Sequence, residues 1–167
     1  MDRKIAFMAL VLLVVVLVSG CTEPLDEGVQ IVKASTIEWL EGEQGLAKFP
    51  GGSAGNPLTV WKEDEAFYWI IPIENSEGLH IGNLITDRKD FTSPKQIAEY
   101  NEPRTRLLNY TRDEAYQVMI TGSDYPAYQI EKPILVTVEG RALYWYSEVK
   151  SGDEVLDEIY IGTFTLF

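Results

Sequence analysis

The feature that most constrains this chain's fold is that it matches itself. At an offset of 76, PLTVWKEDEAFYW (57–69) lies without gaps over PILVTVEGRALYW (133–145). Six of the thirteen positions are identical: Pro57/Pro133, Val60/Val136, Glu63/Glu139, Ala66/Ala142, Tyr68/Tyr144 and Trp69/Trp145. Chance would supply about one. The register continues outward, with Phe49-Pro50 over Tyr125-Pro126, Ile73 over Val149 and Ile85 over Ile161. A helix-start signal recurs as well. Ser35-Thr36-Ile37-Glu38 lies over Thr111-Arg112-Asp113-Glu114, and each reads as a capping box in which a hydroxyl and a Glu satisfy free amides. Shared strand propensity would not repeat the prolines, so the chain reads as a gene duplication.

The copies run from 29 to 86 and from 105 to 162, the second extended to 167 by the terminal TFTLF. Each predicts a short apolar strand (29–33; 105–110) and then a capped helix, the first ending near Gly42 or Gly45, the second at Gly122. Three β-segments follow, at 57–62, 66–74 and 79–86, and again at 133–138, 142–149 and 155–161. Short polar connections between them suit hairpins. The segment 87–104 is an insert, whose Ser93-Pro94-Lys95-Gln96 predicts a short helix to about Asn101. Strands linked by hairpins with one helix per copy make this an α+β chain. A copy of about 58 residues is marginal alone, so the two helix-plus-antiparallel-sheet units are expected to form one pseudo-symmetric domain.

The front of the chain is built differently. Arg3 and Lys4 precede an unbroken apolar run, Ile5 to Val18, too short for the roughly 20 residues of a spanning helix and suited to an export signal. Val18-Ser19-Gly20-Cys21 then resembles a lipobox, the cleavage motif of bacterial and archaeal lipoproteins. The resemblance implies a signal peptide over 1–20, a lipid attached to Cys21, a polar tether over 21–28 and a domain outside the cytoplasm, held at the membrane. Two acyl chains on one Cys would suffice for stable anchoring.

Composition removes several kinds of chemistry. Lys and Arg number 14 against 26 Asp and Glu, a net charge of −12, which lacks the basic footprint of a nucleic-acid binder. One Cys, committed to the lipobox, and one His leave no disulfide, no Cys or His metal motif and no nucleophile–base pair. No cofactor or metal is expected, and no residue is singled out as catalytic. His80 follows Leu79 in a strand where the second copy has Leu156, so it reads as packing. The acidic runs Glu63-Asp64-Glu65, Asp153-Glu154 and Asp157-Glu158 lack the alternation of a calcium loop and read as solvated turns and protected strand faces. Asn109-Tyr110-Thr111 matches the N-x-T glycosylation acceptor, so Asn109 is a candidate, although Thr111 is already needed as a cap.

The aromatic residues are more informative. Alternation puts Phe67, Trp69, Ile71 and Ile73 on one face of their strand and Ala66, Tyr68, Ile70 and Pro72 on the other. In the second copy the faces are Leu143, Trp145, Ser147, Val149 and Ala142, Tyr144, Tyr146, Glu148. The Trp face is the expected core. Tyr68, Ile70, Tyr144 and Tyr146 either lie under a helix or form an outward patch for a protein, peptide or glycan partner.

From Thr111-Arg112-Asp113-Glu114-Ala115 to Ile161 the second copy resembles a PepSY domain, a capped helix followed by an antiparallel sheet found in exported and membrane-anchored proteins. It departs from the family at the sheet's end, where EVKSGDEVLDEIYIG stands. The resemblance implies a non-enzymatic role, such as modulating a protease. Three expectations follow, in order: a lipid-anchored, non-catalytic binder at the cell envelope, a PepSY-like protease modulator, and a hydrolase using carboxylates alone.

Overall fold

In the computed structural model the described residues are 27–63, 65–87, 93–138 and 142–165. The expected signal peptide (1–20), Cys21 and most of the expected tether lie outside them. Eight strands form one sheet: β1 (Ser53–Ala54), β2 (Leu58–Lys62), β3 (Glu65–Glu74), β4 (His80–Asp87), β5 (Gln96–Arg104), β6 (Ile134–Val138), β7 (Ala142–Ser151) and β8 (Glu154–Thr165). The α-helices among the described residues are α1 (Glu27–Glu41), α2 (Glu43–Lys48) and α3 (Arg112–Gly122). The chain is therefore α+β, as its strand-run pattern predicts.

Six strands coincide with the six expected β-segments to within a few residues at their ends. Turn chemistry explains their hairpins. Between β7 and β8 the loop is Gly152-Asp153, and Gly152 has φ of 64°, the conformation a type II′ turn needs at that position. In the β3–β4 loop the Asn75 side-chain oxygen accepts from the amides of Glu77 and Leu79, both at 3.0 Å. Strand order is β5-β4-β3-β2-β6-β7-β8, with β1 pairing β3 off this path. All pairs are antiparallel except β2–β6, which meet in parallel at Trp61↔Val136.

Each face of the sheet has its own core. On one, α1 packs Val32 and Leu40 against Trp69, Ile71, Ile73, Leu84 and Phe49. On the other, Ala115 and Met119 of α3 meet Val60, Tyr68, Ile70, Leu135, Leu143, Trp145 and Val149. Phe49 reaches its core because β4 has Gly82 beneath it: a Cβ there would lie 2.4 Å from the Phe49 ring and 2.3 Å from the Ala98 carbonyl.

The regions outside the hairpins depart from expectation. Residues 29–33 are helical, not a strand, and Ser35 to Glu38 lie inside α1 and do not cap it. Val32, Thr36 and Leu40 share a helical stripe, and burying that stripe outweighs the strand propensity of Val29-Gln30-Ile31-Val32. Thr36, buried, gives its hydroxyl to the Val32 carbonyl at 2.8 Å. α1 ends at Glu41, beside Gly42 as read, and the added α2 follows.

Residues 105–110 are not a strand either. Leu107 and Leu108 of that loop plug the α3 core. The insert carries β5 in place of the expected helix. Tyr100 supplies a 2.8 Å hydrogen bond to buried Asn83, and Pro103 fits because β5 is an edge strand. The second capping box forms as read: Thr111 accepts from the Glu114 amide at 3.2 Å, and Glu114 accepts from the Thr111 amide at 2.9 Å.

Candidate functional site

Strand alternation sorts the aromatic residues between the two faces. Trp69, Ile71 and Ile73 are buried under α1, and Leu143, Trp145 and Val149 under α3, so the Trp face is core in both segments. Phe67 is the exception. The β2–β3 register skips it between Val60↔Tyr68 and Trp61↔Ala66, and this bulge turns its ring outward, where Lys62 stands 5.5 Å above it.

The four-residue binding face expected from the sequence does not assemble. Tyr68, 9% exposed, and Ile70, fully buried, belong to the α3 core together with Trp145. Tyr144 and Tyr146 neighbour Trp145 along β7 and so point to the opposite face. Of the expected patch, only Tyr144 and Tyr146 share a surface.

That surface is the β6–β8 half of the α1 side. α1 packs over β1 and β3, and among the described residues no helix covers this half. Two rows cross it. One runs Trp61, Val136, Tyr144 and Gly162; the other runs Ile134, Tyr146 and Tyr160. Tyr160 is 49% exposed, lies edge-on to Tyr144 with ring centroids 6.2 Å apart, and contacts Tyr146 at 5.0 Å. Beside the rings, Glu148 and Glu158 are directly opposite each other on β7 and β8. Like charges so placed destabilise a sheet, and two neighbours moderate the cost. Lys150 pairs with Glu148 at 2.6 Å and with Glu131 at 3.1 Å. The Tyr146 hydroxyl lies between the two carboxylates, 3.1 Å from Glu148 Oε1 and 3.2 Å from Glu158 Oε1, while the Tyr160 hydroxyl donates to Glu158 Oε2 at 3.0 Å.

Electrostatics follow from this arrangement. Hydrogen bonding by Lys150, together with Tyr146, holds the Glu148 carboxyl below its usual range, and Glu148 and Glu131 in turn raise Lys150. Desolvation and the two carboxylates push Tyr146 far above an ordinary phenol; desolvation and Glu158 raise Tyr160. Tyr146, Tyr160, Glu148 and Glu158, together with Lys62, Glu63, Val136 and Val138, line an open cleft of about 510 Å³. Rings with carboxylates at their edge suit a ligand that brings apolar stem and positive charge together.

Tyr160 and Glu158 are the residues that strand alternation did not single out. A two-residue turn at Gly152-Asp153 signals that β8 folds back on β7. An irregularity between Val149 and Lys150 then shifts the register, so Glu148 meets Glu158 where an unbroken ladder would give Asp157. Elsewhere, His80 is partly buried with Nδ1 3.7 Å from Glu74. Asn109 is exposed, its backbone amide bonded to the Thr163 carbonyl at 3.3 Å. The candidate lipidation residue Cys21 is outside the described residues. Among the described residues no group of three or more His, Cys, Asp or Glu is placed to hold a metal ion. No family model matches the chain, and neither a curated protein nor a solved structure matches it.

Proposed function

We propose that this is a lipid-anchored protein of the cell envelope that acts without catalysis, binding a protein, peptide or glycan partner on the uncovered β6–β8 half of its sheet. The sequence Val18-Ser19-Gly20-Cys21 supports export and anchoring through an acylated Cys21. The single observation that carries the binding role is the partly exposed Tyr144–Tyr146–Tyr160 cluster, a contiguous aromatic surface with hydroxyl handles.

Duplication belongs to the same proposal and explains why the face is there. Leu58↔Ile70, Thr59↔Trp69 and Val60↔Tyr68 recur 76 residues later as Ile134↔Tyr146, Leu135↔Trp145 and Val136↔Tyr144. In the first unit, Tyr68 and Ile70 are sealed by Leu107, Leu108 and α3. In the second, no described element covers Tyr144 and Tyr146 in that way. A pair that one copy uses for stability is thereby released in the other for recognition.

A PepSY-like modulator of a protease is the second reading, favoured by β8, a sheet edge free to meet a protease cleft. Carboxylate hydrolysis has weaker support. Glu148 and Glu158 converge, but such chemistry needs one carboxyl kept protonated, and Lys150 drives Glu148 the other way.

The test is photo-crosslinking in native membranes, with a photoreactive residue at Tyr160 or, as control, at Tyr128, which is 86% exposed and outside the cluster. Adducts from 160 and none from 128 support the proposal; equal labelling from both contradicts it. Cys21→Ala is expected to abolish lipid addition and membrane retention, and unchanged retention would overturn the anchor.

A further inference from the structure

We propose that β8 is a docking edge for an extended, basic peptide segment of the partner, which adds to the sheet as one more strand. This rests on the binding role above and gives that partner a chemistry. β8 ends the strand order, and no described strand pairs its outer side. Near its end the loop amide of Asn109 occupies the Thr163 carbonyl. From Asp157 to Gly162 its pairing with β7 is regular and free of Pro, and its only charges, Asp157 and Glu158, protect it against another acidic edge while favouring a basic one. β5, at the opposite edge, carries Pro103.

A strand added there would send successive side chains to opposite faces, and a cleft waits on each. One is the 510 Å³ cleft with Tyr146, Tyr160, Glu148 and Glu158. The other, about 620 Å³, lies between α3 and β8 and is lined by Met119, Tyr125, Asp124, Asp157, Ile159 and Ile161. Both flank the same stretch of β8, and each pairs aromatic or aliphatic surface with an excess of carboxylates: Glu63, Glu148 and Glu158 against Lys62 in the first, Asp124 and Asp157 in the second. Among the described residues no Lys or Arg forms an ion pair with Glu158, Asp157 or Asp124. Neighbouring Lys or Arg side chains on one extended segment would fill both clefts, while its backbone completes the ladder. A second copy of this chain fits poorly: β8 carries Glu154, Asp157 and Glu158 and no cation, so self-pairing would bring carboxylates together.

The experiment titrates the full lipidated protein in neutral detergent micelles with a capped octapeptide of alternating Val and Thr carrying a central Lys-Arg pair. Binding is expected to exceed that of the same peptide with a central Glu-Glu pair by at least ~tenfold, and to weaken several-fold in Glu158→Gln and in Asp157→Asn. N-methylation of alternate amides along one edge of the peptide should abolish binding, and along the other edge should leave it intact. Equal tolerance of both methylation patterns, or full competition by spermine, would replace strand addition with a small-cation site. Equal binding of the Glu peptide, or self-association through β8, would also overturn the proposal. Failure of every peptide while crosslinks from 160 persist would overturn this inference and leave the binding role standing; loss of those crosslinks would end both.

Discussion

Tyr146 has one phenolic proton and two carboxylates within reach of it, so at most one of them takes the full hydrogen bond. Its ionisation would set a third negative charge between Glu148 and Glu158. Tyr146 is therefore expected to stay protonated well above the usual tyrosine range. Ultraviolet titration of the folded protein should show some of the nine tyrosines, Tyr146 and Tyr160 among them, missing from the transition near pH 10, and Tyr146→Phe should lower the late amplitude by one phenol without changing the ordinary transition. Because the folded pKa is raised, the contribution is present below the free phenol's pKa and fades as pH rises beyond it. Glu148 has the opposite sign. Its depressed pKa contributes stability above the range where a free Glu titrates, and that contribution is lost as pH falls through its folded value. In Glu148→Gln, denaturant midpoints should lose part of their acid-side slope. At this scale the tyrosines of β7 were readable from alternation alone, whereas the partners that perturb them depend on the register of β8.

Among the elements, α3 shows what local sequence can specify: a cap, its reciprocal Glu and a helix end within one segment. Thr111→Ala removes the side-chain half of that box and is expected to cost about 1 kcal/mol by urea denaturation. α1 shows the opposite case. Val29 to Lys33 reads locally as a strand, and only the tertiary demand to cover Trp69, Ile71 and Ile73 makes it a helix. β5 was hidden for a related reason, since its Ser-Pro start has the form of a helix cap while its pairing with β4 comes from outside the segment. Gly82 tests the packing of that region. Gly82→Ala drives a methyl into the Phe49 ring and the Ala98 carbonyl, and should cost about 1–3 kcal/mol. An unchanged midpoint would mean that Phe49 does not rest there.

For the molecule as a whole, the parallel β2–β6 contact is decisive. It joins two antiparallel meanders side by side and puts Trp69 and Trp145 on opposite faces, each under a helix. The internal match announced the meanders and their strands. It does not say which faces are covered, because that depends on how the two meanders join, and so alternation assigns Tyr68 and Tyr144 to one surface where the structure divides them between two. Among the described residues the outcome is a sheet covered on both sides through its middle and open over β6–β8 on one. If that open half and its β8 edge are where the partner binds, amide exchange will report it. Hydrogen–deuterium exchange should be compared between the purified full-length protein and the same protein in vesicles prepared from the cells that express it. Slower exchange in vesicles over 154–162, with 96–104 in β5 unchanged, is the expected result. Protection confined to β5 or α3, or none anywhere, would contradict it.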